Sequence, residues 1–394
     1  MASHHRFDDI AVSDLVAQGS MKWTRNPGHL SAFVAEMDFG TAPVITEALH
    51  AAIDKAQMGY LPPGVKSDMA EATSDYLSSH YGWAIPAEQI YPTADVLSAF
   101  DLVLARFSTP GSAVILPTPA YMPFLTIAPA RGHQVIQVPM IAGPSGRAEM
   151  DLEAIGRAFE AGAEVFILCN PHNPLGRVYS QEELEALAVV VETHGGLVFS
   201  DEIHAPLTLE GHRHIPYASL SEATANHTLT ATSASKAFNI PGLKCAQLIV
   251  SSAAHQESLH EVAFMVSHGT ATPGVMANTV AYRAGGPWLA DVLGYLDTNR
   301  TLLGELLATH IPAMGYTPPE GTYIAWIDAN GLPDIKGDRS WAQFFADEAQ
   351  VGLTDGALCG EAGVGHLRLM LATPGHILEK IILAMAEALK AHSA

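Results

Sequence analysis

Thr232-Ser233-Ala234-Ser235-Lys236-Ala237-Phe238-Asn239-Ile240-Pro241-Gly242-Leu243-Lys244 follows an alternating, β-branched segment at 227–232 that reads as a strand. A lysine flanked by small hydroxyl residues at a strand end suits an aldehyde cofactor held as a Schiff base. That linkage needs a neutral amine, and a free lysine with a pKa near ~10.4 is almost wholly protonated at neutral pH. A second cation nearby lowers the pKa, and Lys244 follows in the same stretch. Ser233 and Ser235 offer hydroxyl donors to a phosphate.

Two other readings compete for this stretch. Ser233-x-x-Lys236 fits the Ser-x-x-Lys motif of serine β-lactamases and penicillin-binding proteins. Those enzymes also need Ser-Asp-Asn and Lys-Thr-Gly elements, and the chain contains neither tripeptide. The other is a solvated loop lysine after a strand, which the piece by itself leaves open.

Composition narrows the choice. A chain of 394 residues suits one large enzyme subunit of two unequal domains. With 48% hydrophobic and 15% charged residues, it can build a sizeable core and is not a disordered chain. The net charge of −21, from 41 acidic against 20 basic residues, argues against a nucleic-acid or anionic-membrane surface. Cys169, Cys245 and Cys359 are widely spaced and odd in number, which suggests no disulfide framework and a reducing compartment. No apolar signal core opens the sequence, and no apolar run approaches the ~20 residues that span a bilayer. A soluble, cytoplasmic protein is expected. His212-x-His214 and His4-His5 are the densest of the 19 histidines, but neither belongs to a Cys/His array with zinc spacing. No metal is expected.

Along the chain, residues 1–40 carry few periodic signals and read as an extended arm. Thr41 and Pro43 open a helix with apolar positions at Val44, Ala48, Ala51 and Ala52. The breakers in 58–64 mark a loop, and another amphipathic helix is predicted over about 66–80. From Gln89 the pattern alternates strands and helices, which predicts a parallel sheet covered on both faces. Strands are expected at 112–117, 134–138, 164–169, 196–200 and 246–250, with helices from near Pro119 and over 181–194. Gly285-Gly286-Pro287 is the best candidate boundary before a smaller α+β domain, with strands near 323–327 and 365–370 and a final helix from Pro374.

Ligands of such sheets bind at the carboxyl ends of the strands, and several signals fall there. Pro92-Thr93-Ala94-Asp95-Val96-Leu97 opens a helix whose backbone N–H groups suit a phosphate. Asp95 is an awkward neighbour for an anion, so its side chain is expected to point away. Asn170-Pro171-His172-Asn173-Pro174-Leu175-Gly176 has two Asn-Pro units in a rigid turn, which can hold the Asn173 amide towards a ligand. In Ser200-Asp201-Glu202-Ile203-His204 a strand-end carboxylate can pair with a protonated pyridine nitrogen. Arg368, on a strand of the smaller domain, is the candidate clamp for an amino-acid α-carboxylate.

Taken together, the order Asn173, Asp201, Lys236, Arg368 resembles the class I/II aminotransferase family of pyridoxal-phosphate (PLP) enzymes over nearly the whole chain. The resemblance narrows to the MalY/PatB branch of cystathionine β-lyases. The narrower match rests on Met37-Asp38-Phe39-x-Thr41-Ala42-Pro43, Thr118-Pro119-Ala120-Tyr121, Ser200-Asp201-Glu202-Ile203-His204, Lys236-x-Phe238-Asn239-Ile240-Pro241 and Thr322-Tyr323-x-Ala325-Trp326. It implies an aspartate aminotransferase-like α/β fold: an arm at 1–40, a large PLP-binding domain with a mostly parallel sheet at 41–284, and a small α+β domain at 285–394. It also implies PLP as cofactor. Lys236 is then the Schiff-base lysine and Cα-proton shuttle, Asp201 holds the pyridine nitrogen, and Asn173 contacts the 3-hydroxyl and the substrate carboxylate. Tyr121 stacks on the ring, Ile203 packs its other face, and His204 stands near the 3-hydroxyl. Ser233, Lys244 and the backbone at Asp95-Val96 bind phosphate, with Tyr60 reaching it from the partner subunit of a homodimer. Arg368 takes the α-carboxylate, and Asp38 and Phe39 are placed among the substrate contacts.

The reaction implied is β-elimination from L-cystathionine or a related cysteine S-conjugate, giving pyruvate, ammonia and a thiol. Transamination of an L-amino acid shares its first steps and is the alternative. A non-catalytic regulatory protein on the same fold is the third reading, and a complete catalytic set argues against it.

Overall fold

The structure is a computed structural model that describes residues 5–143 and 146–393. Seven strands form its central sheet: Ile90–Thr93 (β1), Ala113–Thr118 (β2), Gln134–Pro139 (β3), Ala163–Cys169 (β4), Leu197–Asp201 (β5), Thr228–Thr232 (β6) and Ala246–Val250 (β7). Their order is β1-β7-β6-β5-β4-β2-β3. Strands β2 to β6 run parallel, as the alternating pattern predicts, whereas β7 is antiparallel to both neighbours. The reason is the lysine stretch itself. It links β6 to β7 through turns and a single helical turn at Pro241–Leu243, and a parallel return would need a crossover element there.

Both faces of the sheet are covered. Phe100, Phe124 and Phe199 lead one apolar layer, and Phe159, Phe166, Tyr179 and Tyr217 lead the other. The helix Gln181–His194 has the bounds expected of it. Ser180 and Glu183 form a reciprocal capping box at its start, and Gly195 ends it at φ 64°. The helix expected from Pro119 begins only at Phe124, and residues 119–123 form the turn that carries Tyr121. A second sheet gathers Gly315–Tyr316 (β8), Ile324–Asp328 (β9), Thr354–Asp355 (β10) and His366–Met370 (β11) in the order β8-β9-β11-β10. The helix Gly286–His310 starts at the expected Gly-Gly-Pro boundary and packs against the final helix, Gly375–Ser393.

The N-terminal segment departs from the extended arm expected of it. It holds short helices at His5–Asp8, Val12–Gln18 and Met21–Thr24, then pairs Leu30–Ser31 in parallel with Val351–Gly352. Helices of one or two turns are too short to show a periodic pattern, and they are held by tertiary contacts. The main contact is a buried ion pair, Lys22 Nζ to Asp38 Oδ2 at 2.7 Å, with Trp23 Nε1 donating to Asp38 Oδ1 at 2.7 Å. Asp38→Asn leaves the Lys22 charge buried without its counter-charge, so it is expected to destabilise the fold by about 3–5 kcal/mol. A urea titration checks this, and a change under about 1 kcal/mol contradicts it.

His4, weighed above as a metal ligand, lies outside the described residues. Among the described residues no group of three or more His, Cys, Asp or Glu side chains is placed to hold a metal ion. No described helix is long and apolar enough to cross a membrane.

Candidate active site

Adjacent parallel strands bring the candidate residues together. Cys169 at the end of β4 lies opposite Asp201 at the end of β5, and Asp201 lies opposite Ala231 on β6, so their following loops meet at one edge. There a cavity of about 180 Å³ is lined by Asp95, Val96, Tyr121, Asn173, Asp201, Ile203, His204, Ser235, Lys236 and Lys244, with Ala35 from the N-terminal segment. A wider cleft of about 650 Å³ adjoins it, sharing Ala35, Tyr121 and Lys236, and holds Arg368 in its wall.

The Lys236 amine donates to the Ala35 carbonyl at 3.3 Å, and the Tyr323 hydroxyl donates to the same oxygen at 2.9 Å. Burial, then the nearby Arg368 guanidinium, lowers the Lys236 pKa to about 8. The sequence reading assigned that role to Lys244, which instead pairs with Asp95 Oδ2 at 3.0 Å. Burial raises the Asp201 carboxyl to about 7, against the pull of the Ile203 N–H and the Lys236 charge. Asp201 accepts from that N–H at 3.1 Å and from the Cys169 thiol at 4.0 Å. It therefore stands buried with little compensation.

Asn173 and Tyr121 are fixed by a residue to which the sequence reading gave no role. His172 Nε2 donates to the Pro119 carbonyl at 2.8 Å, and its Nδ1 accepts from the Tyr179 hydroxyl at 3.0 Å. Burial holds this imidazole neutral, with a pKa near 4, so the tautomer that ties the two loops persists at working pH. The peptide bonds preceding Pro119, Pro171 and Pro174 are cis. Arg368 on β11 donates from Nη1 to Asn173 Oδ1 and from Nη2 to the Phe33 carbonyl, each at 3.3 Å, while its Nε is buried without a partner. Among the described residues no carboxylate pairs with it.

Three expected site residues are placed differently: Asp38, Phe39 and Ser233. Asp38 is held by Lys22 and Trp23, and Phe39 packs between Phe7 (4.5 Å between ring centroids) and Tyr295 (5.2 Å), so neither lines the cavity. They fasten the N-terminal segment that brings Ala35 over Lys236. Ser233 donates to the Cys245 carbonyl at 2.7 Å and accepts from the Ser235 N–H at 3.0 Å, bracing the turn from inside; Ser235 lines the cavity instead. Tyr60 is 95% exposed, on a loop that does not line the cavity of its own chain. Asp95 does turn along its helix, as expected of an acid beside an anion site: Oδ1 caps the helix by accepting from the Ser98 N–H at 2.7 Å. Asn239, quoted above only as part of a motif, holds φ 55° and binds the Met37 N–H, the Met37 carbonyl and the Gly40 carbonyl.

These residues fit an aldehyde cofactor with a protonated ring nitrogen and an anionic tail. Among the described residues Asp201 makes no ion pair, Lys236 is depressed towards neutrality, and the His204 Nδ1 is buried without a partner. Lys244 and the helix start at Val96 supply donors to the same cavity. The sequence profile of "Aminotransferase class I and II" matches residues 34–380. The chain belongs to that family.

Within the family it is 33% identical to the cystathionine beta-lyase of Corynebacterium glutamicum, over 90% of this chain and 92% of that one. It is 32% identical to the cystathionine beta-lyase PatB of Bacillus subtilis, over 89% of this chain and 91% of its relative. The PLP-bound C-S lyase from Staphylococcus hominis superposes with a TM-score of 0.89 at 28% identity, covering 97% of this chain and 98% of that structure. The aminotransferase resemblance and the α/β fold read from the sequence are thereby borne out.

Proposed function

We propose that this chain is a PLP-dependent C–S β-lyase that cleaves L-cystathionine or related cysteine S-conjugates to pyruvate, ammonia and a thiol. The reading is carried by one cavity that holds a lysine depressed to about 8 and a buried carboxylate raised to about 7, in a chain about a third identical to cystathionine β-lyases. When bound, PLP supplies an aldehyde for the substrate amine and an electron sink conjugated to Cα.

The protein's own groups do the rest. Lys236 and Asp201 face opposite needs: the amine must be free to take a proton, and the carboxylate must hold one shared with a ring nitrogen. Arg368, with Asn173 beside it, receives the α-carboxylate through its unpartnered Nε and the N–H groups now turned to neutral oxygens. That grip presents the Cα–H to Lys236 Nζ, which removes the proton. The C–S bond breaks with its electron pair going to sulfur, and the thiolate takes up a proton. The three-carbon product leaves as 2-aminoacrylate, which water hydrolyses to pyruvate and ammonia. Tyr121, Ile203 and His204 wall the cavity against water. Lys244 and the N–H groups near Val96 hold the cofactor's phosphate. Asp95 tempers the local positive charge and keeps Lys244 in place.

The division into an arm at 1–40, a large domain at 41–284 and a small domain at 285–394 belongs to this reading, as does a homodimer in the cytoplasm. Tyr60, with Met58 and Phe264, lines an exposed groove of about 910 Å³, and covering it with a second copy would bury these side chains. The function is tested by incubating purified, PLP-loaded protein with L-cystathionine and titrating free thiol. One thiol per substrate consumed is expected. Consumption without thiol, or no consumption of cystathionine and of S-methyl-L-cysteine alike, overturns the reading.

A further inference from the structure

The inner cavity of about 180 Å³, with Lys236 and Asp201 in its wall, is the place for the cofactor, and Arg368 lines the outer cleft of about 650 Å³, so a substrate held at Arg368 extends its side chain into that cleft. Besides Lys236 and Arg368, the wall of that cleft carries Arg25, Glu36 and Asp355; Asp355 caps the following turn by accepting from the Ala357 N–H at 3.0 Å, and the reaction gives the other two no role. Arg25 lies with its guanidinium 5.7 Å from the Phe33 ring centroid, and among the described residues no carboxylate pairs with it. The ring face holds the cation without using its N–H donors. Phe33 also anchors Arg368 through its carbonyl, so one residue spaces the two guanidinium groups. Glu36 lies in a tight turn closed by its own N–H to the Val34 carbonyl at 2.8 Å, and it has no ion pair among the described residues. It lines the same cleft as Arg25. Met21, Met122 and Leu358 add apolar surface to its wall.

We propose that this outer cleft is a subsite for the far end of a long S-conjugate, where Arg25 binds a distal carboxylate and Glu36 a distal ammonium. It rests on the lyase reading and narrows its substrate class to conjugates that carry an amino acid at both ends. Arg368 grips the near α-carboxylate and the methylenes cross the apolar surface. Short conjugates such as S-methyl-L-cysteine reach neither charge.

Binding of inert analogues tests this without turnover. L,L-2,7-Diaminosuberate replaces the sulfur of cystathionine by a methylene, and L-norleucine does the same for S-ethyl-L-cysteine. Dissociation constants are measured by calorimetry on the PLP-loaded wild type and on Arg25→Gln. Arg25→Gln is expected to weaken diaminosuberate about tenfold, the loss of one charged hydrogen-bond donor at a partly exposed site, and to leave norleucine within about twofold. Glu36→Gln should act in the same direction. Equal changes for both ligands, or none for diaminosuberate, overturn the subsite while the lyase reading stands. A wild type that binds neither analogue overturns the amino-acid reading beneath it.

Discussion

Lys236→Ala is expected to lower kcat for β-elimination by at least about 10³-fold and to let the cofactor pass through a desalting column. The single substitution removes both the covalent anchor and the group that moves the Cα proton, and the second of these alone contributes about 10²–10⁴-fold in enzymes generally. The pH dependence has a definite sign. The reactive form is the neutral amine, and its pKa is brought to about 8 by burial and by Arg368. At pH 7.5 roughly a quarter of the amine is neutral, against about 0.1% for a free lysine. kcat, which reports the substrate complex in which the Lys236 amine is free, should therefore rise close to tenfold per pH unit on the acid side and level off above about pH 8. Added methylamine should restore part of the activity of the alanine variant. Turnover within tenfold of wild type, with the cofactor retained, contradicts the assignment.

Arg368→Met is expected to lower kcat/KM by about 10²–10⁴-fold while leaving thermal stability unchanged or raised. A bidentate guanidinium–carboxylate contact comprises two charged hydrogen bonds of about 1.5–3 kcal/mol each, and 1.4 kcal/mol is a factor of ten. The stability prediction separates a binding role from a structural one. Arg368 is 3% exposed, has a buried Nε with no partner, and has only neutral oxygens as acceptors. Removing so poorly compensated a charge relieves desolvation. Lysine at this position keeps the charge but not the fork, so Arg368→Lys should recover only part of the loss. Parallel melting curves and steady-state kinetics check both halves. A large drop in melting temperature with an unchanged kcat/KM would make Arg368 a structural residue.

The legible parts of this protein were those whose signals are local. β-Branched runs such as 228–232 and 246–250, and the Ser180/Glu183 capping box, specify their elements within a few residues. Asn173, Asp201 and Lys236 sit at or just beyond such strand ends, so strand recognition alone placed them at one edge. The less legible parts depend on partners far away in the chain. Nothing near Asp38 says that it pairs with Lys22, and the motif around it reads equally well as a substrate contact. Ser233 and Ser235 have the same residue type; only the turn to Cys245 decides which of them lines the cavity. The Ala35 carbonyl over Lys236 leaves no sequence signal at all, since a backbone oxygen is supplied by every residue. His172 was in view inside the Asn-Pro turn, but Pro119 comes from another loop and Tyr179 from the far end of its own.

Elimination and transamination use the same cavity up to removal of the Cα proton. They part in what becomes of the cofactor, and counting turnovers separates them. The decisive measurement gives PLP-loaded protein an excess of L-cystathionine with no keto acid present and counts pyruvate released per subunit. The account predicts pyruvate, ammonia and homocysteine in equal amounts, continuing for many turnovers per subunit with the cofactor's absorbance unchanged. No pyruvate and no thiol, with one equivalent of cystathionine converted to its 2-oxo acid per subunit and the absorbance moved to that of the pyridoxamine form, would contradict it and make the protein an aminotransferase.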